Sequence, residues 1–186
     1  MTVTVFCGSS TGNNKDYEDA TKSLGKFLAL NNIDVVYGGG NVGLMGVLAN
    51  SVLENNGNIH GIIPIKLKEK ELAHTSLTNL SVVSTMHERK AKMAALGDAF
   101  IALPGGVGTL EEIFEVWTWG QLGFHDKPCA FYNVNGFYDS LIKMITSMQT
   151  QGFVKKEYID MLITTDKQNE LFEKIKAYKA PKQKWT

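Results

Sequence analysis

The sequence predicts an α/β fold, a doubly wound sandwich around a mostly parallel sheet of about six or seven strands. Short apolar runs rich in β-branched residues alternate with longer segments of helical period along the chain. Most of these runs are continuous rather than alternating, which is typical of parallel strands covered on both faces. Such strand–helix alternation favours right-handed crossovers between neighbouring strands.

The predicted elements follow one another in chain order. Strands are expected at residues 3–7, 33–37, 59–63, 80–84, 100–103 and 129–133, with a weaker one near 161–164. The first helix is indicated by an apolar stripe of Tyr17, Ala20, Leu24, Phe27 and Leu28, and the others are expected at 44–53, 86–96, 109–122, 137–148 and 169–178. Gly97 stands where a C-terminal cap would be, and Asp166 is a candidate N-cap for the last helix.

Length and composition indicate one soluble domain. The 186 residues suffice for one sizeable core, so a single domain is expected over 1–179, with a loose tail at 180–186. Nineteen basic and 19 acidic side chains give a formal net charge of zero, which disfavours a nucleic-acid partner. No apolar run approaches the ~20 residues that span a bilayer, so no membrane partner is expected.

The two cysteines bear on the cellular compartment. Cys7 and Cys129 both lie in apolar, strand-like runs, and two cysteines make no disulfide framework. Buried thiols in a reducing compartment are the favoured interpretation, and a cytoplasmic protein is expected.

A glycine-rich loop follows the strand predicted at 100–103. It reads Pro104-Gly105-Gly106-Val107-Gly108-Thr109 and runs into a helical segment. Its glycines permit close backbone approach, so the loop amides and the helix N-terminus would point at one spot, as in a phosphate cradle. The loop is neither a Walker A sequence nor a dinucleotide fingerprint. The alternative is a tight turn in which Thr109 is an ordinary N-cap.

Two carboxylates follow this loop. Glu111 and Glu112 are in the first turn of the predicted helix, where the helix dipole favours negative charge, and stabilisation of the helix is the alternative interpretation. Beside a phosphate, a carboxylate is repulsive unless it addresses another group. A ribose hydroxyl, an attacking water or a developing cationic sugar would suit it.

Three further strand ends carry candidate ligand-binding residues. Arg89 and Lys90 open the helix after the fourth strand; Arg89 is suited to clamp a phosphate or ribose, and a solvated charged face is the alternative. Residues 38–46 contain five glycines, including Gly39 and Gly43, which favours close approach by a ligand or a facing loop, or close helix–strand packing. Gly8 and Ser9 follow the first strand and are expected to line the same crevice.

The remaining candidates carry weaker signals. The histidines show no metal-ligand spacing and are interpreted as loop or surface residues: His60, His74, His87 and His125. Three aromatic residues are interpreted as core or subunit-interface residues, with base stacking as the alternative: Trp117, Trp119 and Phe124.

Four segments, at 38–46, 86–90, 104–112 and 118–123, occur together and in order. Together they closely resemble the LONELY GUY (LOG) family of cytokinin riboside 5′-monophosphate phosphoribohydrolases. The hallmark P-G-G-x-G-T-x-x-E is matched from Pro104 to Glu112 without a departure. The resemblance extends from the first strand to about Val154.

This resemblance implies a Rossmann-like fold and a homodimer with its active site near the subunit boundary. The implied reaction is hydrolysis of AMP or an N6-substituted AMP to free base and ribose 5-phosphate, with a small-molecule nucleotide as substrate and no metal or organic cofactor. Arg89 and Glu112 would be catalytic, while Glu111 points away by about 100° on the helix. The implied substrate-binding positions are Glu71, Arg89, Lys90, Gly105, Gly106, Val107, Gly108, Thr109, Leu110, Glu111, Glu112 and Thr118, and Gly8, Ser9, Gly39 and Gly43 are added from their strand-end positions.

Three rival functions stay open from sequence. A non-catalytic nucleotide-binding or sensing module would keep the cradle without needing a carboxylate beside it. A molybdenum-cofactor carrier would share a similar glycine loop but is expected to lack the Arg89/Glu112 pairing. Lysine decarboxylation, a label once attached to the family, needs a Schiff-base lysine for pyridoxal phosphate, and no lysine stands out in such a setting.

Overall fold

A computed structural model describes residues 1–68, residue 70 and residues 73–181. They contain a seven-stranded sheet in the order β4-β3-β2-β1-β5-β6-β7, and every neighbouring pair is parallel. The strands are β1 Thr2–Phe6, β2 Asp34–Tyr37, β3 Ile59–Pro64, β4 Asn79–Val83, β5 Ala99–Ala102, β6 Cys129–Tyr132 and β7 Leu162–Thr165. The predicted doubly wound α/β fold is confirmed.

Helices cover both faces of this sheet. They are α1 Lys15–Leu30, α2 Gly43–Glu54, α3 Ile65–Lys68, α4 Met86–Leu96, α5 Val107–Gln121, α6 Asp139–Thr150, α7 Lys156–Ile159 and α8 Gln168–Ala177, with a 3₁₀ turn at Val134–Gly136. Among the described residues, no helix combines the length and apolar character that crossing a bilayer requires.

Two hydrophobic clusters hold the helices to the sheet. On one face, Val3 and Val5 of β1 pack with residues of α1, α2 and α8. On the other face, Phe6 packs with residues of α4, α5 and α6. Successive β1 residues therefore enter opposite clusters, as the alternation of side chains along a strand requires, and burial on both faces explains the continuous apolar runs in the sequence.

One predicted helix start and one predicted cap are wrong, while a second predicted cap, Gly97, is confirmed. Helix α5 begins at Val107, two residues before the predicted start, with Gly106 at the N-cap. Lys167, not Asp166, is the N-cap of α8. Gly97 is the C-cap of α4 but is extended (φ −81°, ψ 145°), and a Cβ there would lie 2.2 Å from Thr4 Oγ1. Close packing against β1, rather than a left-handed cap, therefore requires glycine at this position.

The strand order creates a switch point between β1 and β5. From β1 the chain adds β2, β3 and β4 to one side, and then returns to place β5 on the other side of β1. The loops at the carboxyl ends of these strands are in contact, because the Gly8 amide donates to Pro104 O (3.1 Å) and the Leu44 amide donates to Gly8 O (3.0 Å). Ligands of open parallel sheets bind at such a crevice.

Candidate active site

A cavity of about 340 Å³ opens at this switch point. The ends of β1 and β5 and the first turns of α2, α4 and α5 contribute to it, together with one side chain from α3. Its lining residues are Cys7, Gly8, Ser9, Met45, Leu67, Met86, Arg89, Gly106, Val107, Gly108, Thr109, Glu111 and Glu112. The cavity thus combines the backbone of the glycine loop with one arginine and two carboxylates.

The glycine loop forms the N-terminal end of α5. Gly106 is the N-cap, and the Leu110 amide donates to Gly106 O (3.2 Å), so the amides before Leu110 lie ahead of the first α-helical hydrogen bond. Such amides, reinforced by the helix dipole, attract an anion.

The loop glycines have different reasons to be glycine. A Cβ at Gly105 would lie 2.1 Å from Thr109 Oγ1 and 2.9 Å from the Gly8 amide, so packing excludes a side chain there. Apart from the local backbone, a Cβ at Gly106 or Gly108 would meet no atom of the described residues within 4 Å. Since both line the cavity, the space above them is open to a ligand that approaches the backbone closely.

Replacing Gly108 by alanine is expected to separate binding from stability. Alanine favours the helix by about 1 kcal/mol over glycine, so the free energy of unfolding should stay level or rise. The added methyl should raise the KM for a phosphorylated ligand about tenfold, equal to about 1.4 kcal/mol. Chemical denaturation and steady-state kinetics measure the two effects.

The matched control is Gly97→Ala, which places the methyl against Thr4 and should lower stability instead. Unchanged KM in Gly108→Ala would mean that no ligand approaches this glycine.

Arg89 and Glu112 form an ion pair between the N-terminal parts of α4 and α5. Arg89 Nη2 lies 3.6 Å from Glu112 Oε1, and the two side chains are 8% and 12% exposed. The Arg89 Nε is buried and has no hydrogen-bond partner among the described residues. A largely buried guanidinium that lines the cavity is well suited to hold an anionic or polar ligand.

Local structure fixes the position of Arg89. The Thr85 hydroxyl accepts the Glu88 amide (3.1 Å) and the Glu88 carboxylate accepts the Ser84 amide (2.8 Å), which defines the start of α4. A Cβ at Gly38 would lie only 2.1 Å from Arg89 Nη2. Glycine at the end of β2 therefore makes room for the guanidinium.

Cys7 lies beneath this pair at the end of β1. Burial raises the pKa of its thiol, the negative charge of Glu112 raises it further, and Arg89 partly opposes the effect. The thiol therefore stays protonated and neutral at physiological pH, which makes it a poor nucleophile.

Lys90 does not join the cavity lining. Its ammonium group contacts the Glu111 carboxylate and lies 3.0 Å from Glu115 Oε2, and its side chain is 11% exposed. Glu111 itself lines the cavity, with its side chain 50% exposed. The adjacent residues Arg89 and Lys90 thus pair with the adjacent residues Glu112 and Glu111.

Other predicted positions lie outside the cavity lining. Gly43 (φ +57°) fits against the loop after β1, since a Cβ would be 2.3 Å from the Ser9 carbonyl carbon. Gly39 (φ +79°) packs on β3, and its carbonyl accepts the His74 amide (3.1 Å). Both glycines have packing reasons, as the alternative from sequence allowed.

Leu110, Thr118 and Glu71 complete the set of predicted positions. Leu110 packs against the core cluster on the α5 face of the sheet. The Thr118 hydroxyl donates to Phe114 O (2.7 Å), and Thr118 lies about 9 Å beyond Glu112 along the helix axis. The predicted position Glu71 lies outside the described residues.

Three apolar side chains of the cavity were not predicted. Met45 is on α2, Leu67 on α3 and Met86 at the start of α4. Met86 and Met45 belong to segments that the sequence had marked, although for their glycines and charges. Leu67 lies on a four-residue helix with no such signal, so only the fold places it here.

The histidines and aromatics lie elsewhere. His74 and His125 are in loops as expected, and burial lowers the pKa of both rings. His60 is the exception, because it lies in strand β3 and its Nε2 is 2.8 Å from Ser81 Oγ. The buried Trp117 donates from Nε1 to Tyr158 O (2.9 Å), which confirms it as a core residue. Phe124 is 74% exposed.

Fold and site together define a class: a doubly wound α/β protein with an open helix N-terminus and a buried arginine–carboxylate pair at its switch point. Residues 45–175 match the protein family described as "Possible lysine decarboxylase". The chain is 46% identical to cytokinin riboside 5′-monophosphate phosphoribohydrolase LOG4 of Arabidopsis thaliana, over 95% of this chain and 82% of that protein. It is 44% identical to the probable phosphoribohydrolase LOGL6 of Oryza sativa subsp. japonica, over 98% of this chain and 76% of that protein. The chain belongs to this family, the LOG family.

Solved structures share the fold at low sequence identity. The molybdenum cofactor carrier protein of Chlamydomonas reinhardtii superposes with a TM-score of 0.70 at 14% identity, over 95% of this chain and 96% of that one. The molybdenum cofactor binding protein of Rippkaea orientalis gives 0.68 at 18% identity, over 95% of each chain. At this identity the likeness concerns the fold alone.

Proposed function

We propose that this protein hydrolyses the N-glycosidic bond of AMP or of N6-substituted adenosine 5′-monophosphates, releasing the free base and ribose 5-phosphate. One observation carries the proposal: the Glu112 carboxylate lies 3.6 Å from Arg89 in the same cavity as the open amides of the glycine loop. The phosphoribohydrolase activity for which the LOG relatives from two plants are named supports the same reaction.

The glycine loop would hold the 5′-phosphate. Gly106 and Gly108 leave room for close approach, and the first-turn amides of α5 supply donors. Thr109, only 4% exposed, adds a hydroxyl beside the loop. Binding energy from this remote phosphate can then position the sugar for reaction.

Glu112 is suited to act on the sugar. It is the sixth residue of α5, about one and a half helical turns from the N-terminus, so it lies below the phosphate rather than against it. Cleavage of C1′–N9 builds positive charge on the ribose ring, and a nearby carboxylate stabilises that charge and orients the incoming water.

Hydrolysis of the C1′–N9 bond needs water as its one co-reactant. The water oxygen bonds to C1′ as the C1′–N9 bond breaks, the bonding electrons leave with the base, and the water's proton is passed on to the base. Glu112 is proposed to accept the proton from water. Arg89 would hold the Glu112 carboxylate in place and donate from its guanidinium to a ribose or phosphate oxygen in the cavity.

The remaining predicted substrate-binding positions differ in whether they line the cavity. Gly8, Ser9, Val107 and Glu111 line the cavity and are proposed as its walls around the nucleotide. Direct substrate contact is not proposed for Gly39, Gly43, Leu110 or Thr118, which lie outside the lining.

A product assay tests the function. We expect AMP and N6-isopentenyl-AMP to yield free base by chromatography, and the corresponding ribosides without phosphate to react at least about a hundredfold more slowly, since they lose the phosphate's binding energy. Ribosides cleaved as fast as the monophosphates would contradict the phosphate cradle. Absence of base from every substrate would favour the non-catalytic module instead.

Lysine decarboxylation has less support from the cavity. Among the described residues, the lining set includes no lysine, and the adjacent Lys90 is engaged by two carboxylates. A Schiff-base lysine must instead be free to attack the cofactor's carbonyl carbon.

We further propose a homodimer and a cytoplasmic location, with residues 1–179 as one domain. A concave surface on α4 and the segment after α5 carries Ala91, Ala95 and Phe124, the last 74% exposed, as expected of a subunit contact. Phe124→Asp is expected to yield monomers by sedimentation equilibrium, and an unchanged mass would place the contact elsewhere.

The two buried, unpaired cysteines support a reducing compartment.

A further inference from the structure

Two methionine side chains lie beside the Arg89 guanidinium. Arg89 Nη1 donates to Met86 Sδ (3.8 Å), and a Cβ at Gly38 would lie 3.3 Å from Met45 Sδ and 2.1 Å from Arg89 Nη2. Both methionines line the cavity, but Met45 is 6% exposed whereas Met86 is 41% exposed. Met86 is therefore the solvent-accessible one of the two, in direct contact with the arginine that pairs with Glu112.

The contact between Met86 and Arg89 is weak as it stands. A thioether sulfur is a weak acceptor, so it competes little with a phosphate or ribose oxygen for the Nη1 donor. Oxidation would change this, because methionine sulfoxide is polar and carries an oxygen on the sulfur. That oxygen would come within hydrogen-bond reach of Nη1, and a hydrogen bond from a charged donor is about twice as strong as a neutral one.

The other sulfur-containing side chains are buried or lie away from the cavity. Cys7 lines the cavity, but its raised pKa keeps the thiol protonated, so it reacts poorly with a peroxide. Met93 and Met161 are buried in the core. The methionines that remain do not line the cavity: Met1, Met144 and Met148. Among the described residues, Met86 is therefore the exposed sulfur of the site.

We propose that Met86 is a modification site: a hydroperoxide converts its thioether to the sulfoxide, whose oxygen engages the Arg89 guanidinium and weakens ligand binding. With hydrogen peroxide, the sulfur donates an electron pair to one peroxide oxygen, and the S–O bond forms as the O–O bond breaks. The departing hydroxide takes the proton of the transferred oxygen and becomes water, so the sulfur is oxidised and the peroxide reduced. The inference rests on the proposed function, since the ligand is that nucleotide.

Peroxide treatment tests the site, with each protein compared with its own untreated sample. Peptide mass spectrometry should show Met86 and Met144 oxidised and Met45 unchanged, because Met144 is 56% exposed and Met45 is buried. In the wild type, oxidation should weaken calorimetric binding of ribose 5-phosphate and raise the KM for AMP, each about tenfold. Methionine sulfoxide reductase should restore both values.

Two leucine variants separate Met86 from the other methionines. Met86→Leu cannot form the sulfoxide, so treatment should change its ribose 5-phosphate binding by less than about twofold. Met144→Leu, on α6 outside the cavity, is the matched control; it should start at wild-type activity and lose as much as the wild type on treatment. Thermal melting confirms folding, and Met86→Ile replaces Met86→Leu if the latter fails to fold.

Three results would overturn the proposal: equal losses in Met86→Leu and the wild type, full oxidation of Met86 with unchanged binding, or a Met86 that stays reduced while Met144 is oxidised. If the untreated wild type releases no base from AMP, the proposed function fails instead. Calorimetric binding of AMP itself, before and after oxidation, then decides the role of Met86.

Discussion

Glu112→Gln is expected to lower kcat for base release from AMP by about a thousandfold, within the range of a lost catalytic base. The substitution preserves size but removes the negative charge that would stabilise the ribosyl cation and accept the proton from water. Steady-state release of adenine, followed by chromatography, measures the loss.

Binding should survive this change. Glu112 is proposed to act on the sugar and not on the phosphate, so the dissociation constant for ribose 5-phosphate should stay within about threefold of wild type or improve as a negative charge is removed. Glu173→Gln on the exposed side of α8 is the matched control and should retain full activity. Near-wild-type turnover in Glu112→Gln would remove Glu112 from the mechanism.

Arg89→Ala is expected to lower kcat/KM for AMP by about a thousandfold or more, since it removes the guanidinium that pairs with Glu112 and that lines the cavity as a donor. Here both kcat and KM should change, unlike in Glu112→Gln. Arg89→Lys restores the charge but not the planar fork, so it should recover only part of the loss.

Gly38→Ala gives an independent check on Arg89. Its methyl would lie 2.1 Å from Arg89 Nη2, and it should therefore reproduce part of the Arg89→Ala defect without touching the arginine itself. Full activity in Arg89→Ala, with a normal melting temperature, would show that the guanidinium takes no part in the reaction.

The alternation of strands and helices was predictable because it depends on the pattern of residues close together in the sequence. Continuous runs such as the one that includes Ala99–Ala102 indicate strands buried on both faces, and the glycine loop that follows β5 marks a helix N-terminus. The residues at which helices and strands begin and end were harder to predict. Helix α5 begins at Val107 rather than at the predicted residue 109, because the packing of Gly105 against Gly8 and Thr109 determines where the preceding turn ends.

Pairings between distant residues could not be predicted from local pattern. Gly38 and Arg89 are far apart in sequence, and their contact arises only because β2 ends, and α4 begins, at the carboxyl end of the parallel strands. The same holds for the contacts of Lys90 with Glu111 and Glu115, which join α4 to α5. Leu67 lines the cavity, and no pattern in the sequence indicated this.

The sequence by itself determined the doubly wound α/β class, the glycine loop from Pro104 to Thr109 and the two charged residues Arg89 and Glu112, because each depends on local periodicity or on a contiguous motif. Only the tertiary structure decided which charges face each other. The switch between β1 and β5 brings α4 and α5 side by side, so that Arg89 pairs with Glu112 and Lys90 pairs with Glu111. The physical reason is that a side chain's partner depends on helix packing across the sheet, which no local stretch of sequence specifies.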